Sequence, residues 1–162
     1  VSGTPGPGNL YRADRAGPIL SSFRRRIGRD LIAPSADPGE AARRLWEAPF
    51  VVLSHDGAAD PVLTYGNRTA LELWQTDWAT LTAMPSRLTA EPMHREERAR
   101  FMARTAAEGC VTGYAGIRIA VTGRRFRIED AIIWNLDRPG DGDTPSAGPA
   151  GQAATFARWT YL

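Results

Sequence analysis

Ser54, His55 and Asp56 stand in a row within the stretch LSHDGAADPVLTYGNRTALELW. A hydroxyl, an imidazole and a carboxylate are the groups of a hydrolytic triad, but a triad works only when all three converge on one point in space. Val51 to His55 has the composition of a strand, whose successive side chains leave opposite faces, so Ser54 and His55 point apart. No G-x-S-x-G elbow occurs anywhere in the chain to present a nucleophile. The triad reading is set aside.

His55 and His94 are the only histidines. With one carboxylate they could form a facial triad for iron, which needs all three ligands on one side of the metal. One histidine ends a strand and the other opens a distant helix, so the spacing does not support convergence, and no metal site is expected. The same two residues are the candidates for a catalytic base. His94 is alternatively an axial ligand or a group near a helix start. In PSRLTAEP, Arg87 and Glu91 precede a helix, where a bidentate guanidinium either holds an anionic ligand or ties the loop to the sheet.

All twenty basic residues are arginine, which excludes lysine Schiff-base chemistry. A single cysteine, Cys110, excludes an internal disulfide and a cysteine-based zinc site and agrees with a reducing, cytoplasmic setting. The net charge of +2 is small and the charges are interleaved, as in HREERAR, which is the pattern of a solvated helix face. Neither nucleic-acid binding nor membrane insertion is expected, because no apolar run approaches the length of a span.

Several elements must position these groups. Residues 1–9, rich in Gly and Pro, are expected to be a disordered tail. Residues 10–48 predict an N-terminal helical cap, with apolar residues at helical spacing (Ile19, Leu20, Phe23, Ile27), a break at Gly17-Pro18, and a second short helix from about Pro38. Residues 49–162 predict a domain of two strands, PFVVLSH and PVLTYG, then a helix capped by Asn67, short helical pieces, the long helix MHREERARFMARTAAEG, and three further strands. The segment between the last two strands, DRPGDGDTPSAGPAG, reads as a mobile loop. In GRRFRIEDAIIWNL, simple alternation puts Phe126, Ile128, Ile132 and Trp134 on one face, interrupted by Asp130, and Arg125, Arg127 and Glu129 on the other. A bulge would invert that parity.

The order of elements resembles a PAS fold, α+β, with a five-stranded antiparallel sheet whose one face is covered by short helices around a small-molecule pocket. The strings SHDGAADPVLTYGNRTALELW, PSRLTAEPMHREERARF, GYAGIRI, GRRFRIEDAIIWNL and GQAATFARWTYL are similar to those of the MEKHLA domain, a PAS-like family, over about Leu20 to Leu162. That family occurs as stand-alone bacterial proteins and at the C-terminus of plant homeodomain-leucine zipper factors, and the stand-alone form is expected here. The resemblance implies a sensory or interaction module. It places Trp74, Tyr114, Phe126 and Trp134 on elements that enclose a pocket. The candidate ligand-binding set is completed by His55, Tyr65, Arg87, Glu91, His94, Arg118 and Gln152. Neither the ligand nor any cofactor is named by the residues, and no cysteine motif for flavin photochemistry is present.

Three functions follow as expectations. The first is a small-molecule-binding sensory module that acts through a partner in trans and forms a homodimer through its N-terminal helix. The second is a small tailoring enzyme on an aromatic or carbonyl substrate, with a His general base and Arg87 or Arg118 stabilising an anion. The third, a pure interaction domain, requires an interior without a cavity.

Overall fold

The computed structural model describes residues 3–137 and 150–162. The expected mobile loop therefore falls largely outside the described residues. Six antiparallel strands form one sheet: β1 (Val51–Asp56), β2 (Leu63–Gly66), β3 (Cys110–Ile119), β4 (Arg125–Asn135), β5 (Gly151–Phe156) and β6 (Arg158–Tyr161). Their order is β2-β1-β5-β4-β3, with β6 also beside β4. β5 pairs with Ile132 to Asn135 and β6 with Phe126 to Glu129, so both lie along the same edge of β4. The last strand of the expected five is thus broken at Ala157 into β5, which lies between β1 and β4, and β6, which pairs with β4.

Opposite that break, Asp130 adopts φ 52 and forms an ion pair with Arg158. Aspartate tolerates this left-handed conformation better than most residues because its short side chain finds local partners. The irregularity inverts the alternation along β4. Phe126 and Ile128 face one side of the sheet, and beyond Asp130 that side receives Ala131 and Ile133. Ile132 and Trp134 turn to the other. The single face expected for Phe126, Ile128, Ile132 and Trp134 is therefore corrected to two.

Both faces are covered. On the outer face, helices α1 (Ala13–Ile27) and α2 (Pro38–Trp46) bury Ile19, Phe23 and Leu45 against Val52, Tyr65 and Trp134. Each such side chain contributes about 1.5–3 kcal/mol on leaving water. The Phe23 and Trp134 rings meet edge to face at 4.9 Å. Helix α1 runs through Pro18 without the break expected there. Pro18 lies near the helix start, so the intrahelical bond it cannot make would have gone to Asp14, on the exposed first turn. Residues 7–12 form an irregular turn in which Leu10, Tyr11 and Arg12 take left-handed backbone angles, the carbonyl of Gly3 accepts from Arg12, and Gly3 lies against Trp78. The stretch expected as a tail thus makes contacts from Gly3 onward.

On the inner face lie α3 (Arg68–Trp74) and α5 (Pro92–Glu108), while α4 (Trp78–Leu81) straddles the two faces, Leu81 packing in the inner cluster and Trp78 in the outer. Asn67 caps α3 as expected, its Oδ1 accepting from Ala70 N at 3.1 Å. It does more than cap. Oδ1 also accepts from Val52 N, while Nδ2 donates to the carbonyls of Leu45 and Phe50. This fully buried amide uses two donors and two acceptor sites to join α2, β1 and α3.

Candidate functional site

Between α5 and the inner face lies a cavity of about 60 Å³. One water-sized group needs on the order of 10–15 Å³ of such space, so the cavity takes about four to six non-hydrogen atoms. Much of its wall is apolar, including Leu53, Leu63, Ile128 and Ile133. A shallower recess of about 400 Å³ adjoins it, bounded by the β1–β2 turn and α5. The two share His55, Arg98, Met102 and Gln152 as a common wall.

The polar groups reach this cavity from five elements, β1, α3, α5, β3 and β5. His55 stands next to the end of β1 and Gln152 next to the start of β5, and they are register partners, with Asn135 of β4 next in the same row. The Nε2 of Gln152 donates to the Met102 carbonyl at 2.9 Å and to Asn135 Oδ1 at 3.2 Å, fixing the amide between helix and sheet. Its Oε1 is buried without a partner among the described residues. His55 Nδ1 lies 2.7 Å from the Asp56 carbonyl. A carbonyl can only accept, so Nδ1 carries the proton and Nε2 of the neutral ring is a bare acceptor, also buried and unpartnered. Burial holds the His55 pKa below its ordinary value, and the positive charge of Arg98 acts in the same direction. Trp74 closes another wall, with its Nε1 buried and unpartnered.

Two arginines complete the site. Arg118 of β3 is buried and donates to the Ile117 carbonyl and to Tyr114 Oη, both bonds to neutral oxygens. Arg98 of α5 is partly buried and donates to Ser86 Oγ at 2.8 Å. Burial and, secondarily, the charge of Arg118 push its pKa down to about 10. It remains a cation at neutral pH.

Of the residues singled out from sequence, His55, Trp74, Tyr114, Arg118 and Gln152 line this cavity. Phe126 packs behind Trp74 with ring centroids 5.0 Å apart. Tyr65 and Trp134 belong to the outer face, and burial raises the Tyr65 pKa. Arg87 forms an exposed ion pair with Asp60, and Glu91 pairs with Arg125, so the two do not meet each other. His94 lies in the first turn of α5 away from the cavity wall. Arg98 was hidden in HREERAR, which reads as a solvated face. The available signal was helical spacing, since Arg98 shares a face with Phe101, Met102 and Thr105 at three, four and seven residues. Among the described residues no group of three or more His, Cys, Asp or Glu could hold a metal ion. Nor is any described helix long and apolar enough to cross a membrane.

Comparison with known proteins agrees with this geometry at the level of fold. The PAS domain of a protein from Colwellia psychrerythraea superposes with a TM-score of 0.60 at 12% identity, covering 76% of this chain and 94% of that one. An RNA-binding light-oxygen-voltage receptor gives a TM-score of 0.56 at 19% identity, covering 78% and 34%. The PAS domain of a LuxR-family transcriptional regulator from Burkholderia thailandensis, solved in complex with ethanol, gives 0.52 at 18%, covering 72% and 92%. In sequence, the chain is 24% identical over 148 residues to the homeobox-leucine zipper protein HOX29 of Oryza sativa subsp. indica, and the same holds for HOX29 of subsp. japonica. The match covers 89% of this chain but only 16% of the length of either rice protein. Residues 13–161 match the MEKHLA domain, and the chain, PAS-like in fold, belongs to that family.

Proposed function

We propose that this MEKHLA domain is a small-molecule-binding sensory module whose ligand occupies the cavity between α5 and the sheet. The observation that carries the reading is the set of three buried polar atoms on cavity-lining residues, His55 Nε2, Trp74 Nε1 and Gln152 Oε1, that have no partner among the described residues. A buried unsatisfied polar atom costs about 1–3 kcal/mol, and water or a ligand removes that cost. A pure interaction domain needs no such interior.

The working unit in this reading is the N-terminal helical cap, residues 10–48, with the PAS-like domain, residues 49–162, in the cytoplasm. Its output passes to a partner in trans. Ile19 and Phe23 are buried against the chain's own sheet, so a homodimer through the N-terminal segment would be built on exposed Leu10 and the arginine-rich face of α1.

The experiment is native mass spectrometry of the purified chain, followed by denaturation and analysis of what is released. A stoichiometric small-molecule adduct supports the reading. A chain that stays empty and shows no thermal shift against a library of small metabolites overturns it. A second reading, a small enzyme, draws on one observation: His55 presents its bare Nε2 at the cavity, the orientation a general base requires. Turnover of the released molecule by the wild type and its loss in His55→Gln would separate enzyme from sensor.

A further inference from the structure

We infer that the ligand is a small hydroxycarboxylate, its carboxylate held between Arg98 and Arg118 and its hydroxyl donating to His55 Nε2 or Gln152 Oε1. This rests on the small-molecule reading above and names the chemical class that the same cavity takes.

The arginines set the charge. Among the described residues neither Arg98 nor Arg118 forms an ion pair, and of the arginines without one, Arg29, Arg68, Arg95 and Arg124 included, only these two line the inner cavity. The two line one cavity, and their mutual repulsion contributes to the lowered Arg98 pKa. Buried charges are ordinarily paired, because desolvation costs several kcal/mol per ion without a counter-charge. Two guanidinium groups facing one hollow supply the planar donor forks that match a carboxylate. A monoanion between them relieves both the repulsion and the desolvation.

The acceptors set the rest. His55 Nε2 and Gln152 Oε1 belong to register partners on adjacent strands, and both are acceptors when His55 is neutral. With the proton on Nδ1 they do not satisfy each other, and only a protonated His55 donates to Gln152. A simple alkyl carboxylate would leave both bare, whereas a hydroxyl two bonds from the carboxylate carbon brings a donor for one of them. Size agrees, since room for about four to six non-hydrogen atoms fits a two- or three-carbon acid. The apolar walls at Leu63, Ile128 and Ile133 face the carbon atoms. Entry runs through the wall shared with the outer recess, where Arg98 stands.

The test is isothermal titration calorimetry of the full chain with glycolate, acetate and ethylene glycol at constant ionic strength. Arginine side-chain nuclear magnetic resonance signals are recorded alongside. Glycolate should bind at one site and shift two arginine signals, acetate should bind about tenfold more weakly, and ethylene glycol should be silent. Arg98→Gln should weaken glycolate about tenfold or more while Arg125→Gln leaves it unchanged. The wild-type arginine signals keep the test decisive if Arg118→Gln fails to fold. Ethylene glycol binding as tightly as glycolate, with no effect of Arg98→Gln, overturns the anionic class and leaves the small-molecule cavity standing. Acetate equal to glycolate overturns the role of the hydroxyl. If no probe binds and native mass spectrometry also finds the chain empty, both this inference and the reading beneath it fall.

Discussion

Trp134 Nε1 donates to Ser22 Oγ at 2.9 Å, a buried bond that joins the centre of the sheet to helix α1 across 112 positions of chain. Ser22 Oγ in turn donates to the Pro18 carbonyl at 2.6 Å. The bond pins the N-terminal cap to the outer face. Ser22→Ala removes the acceptor and leaves an indole N–H buried and unpaired, which should cost about 1–3 kcal/mol in urea unfolding. An unchanged midpoint would mean that the cap is held by its apolar contacts alone.

Asn67 offers a sharper test of how the cap is tied to the domain. Asn67→Asp keeps the shape and the two acceptor bonds to Val52 and Ala70 but replaces the donors to Leu45 and Phe50 with an oxygen facing two carbonyls. The variant buries a charge or an unsatisfied acid, and the expected loss is roughly 3 kcal/mol or more by chemical denaturation. Asn67→Ser, which keeps only the cap, should fall between the two. A wild-type midpoint in Asn67→Asp would show that the α2–β1 joint opens freely.

The fold was legible because its signals are local. Asn67 before an apolar run, Gly109 after a long helix-forming segment, and the alternation of PFVVLSH each point to one element without reference to the rest of the chain. The two faces of β4 were not legible, because one residue, Asp130, decides them. Its positive φ depends on pairing with β5 and β6, which parity counting cannot see. The site was half legible for the same reason. His55, Arg118 and Gln152 sit on strands whose positions the pattern fixes. Arg98 looks like surface until α5 is laid on the sheet, and the partners of Arg87 and Glu91 come from Asp60 and Arg125, far away in sequence.

Protonation of His55 gives a directional prediction. Burial depresses its pKa in the fold below the unfolded value of 6.5. As pH falls through that unfolded value the unfolded chain takes up the proton first, so stability rises with pH in this window and is lost on acidification. Asp56 opposes the effect, Arg98 deepens it, and Gln152, which accepts from the protonated ring, also opposes it. Thermal melts at about pH 7 and pH 5 should show a larger loss for the wild type than for His55→Gln. Equal losses would place the proton uptake on other groups.

Gly151 tests the strand junction beside the cavity. It has φ +139, and a Cβ there would collide with the His55 carbonyl. Gly151→Ala should cost about 2–4 kcal/mol through backbone strain and a forced separation of β1 from β5. Nuclear magnetic resonance should show the largest shifts at His55 and Gln152. A loss below about 0.5 kcal/mol, the range of an ordinary surface change, would mean that this end of the pair is already parted.

The reversal at Asp130 places Ile133 against the cavity and Trp134 under the N-terminal cap, one peptide unit apart. Adjacent side chains on a strand are rigidly opposed, so a displacement of that strand perpendicular to the sheet compresses one face by as much as it relaxes the other. The inner hollow and the seat of helix α1 are therefore two ends of one short lever whose fulcrum is a single backbone bond.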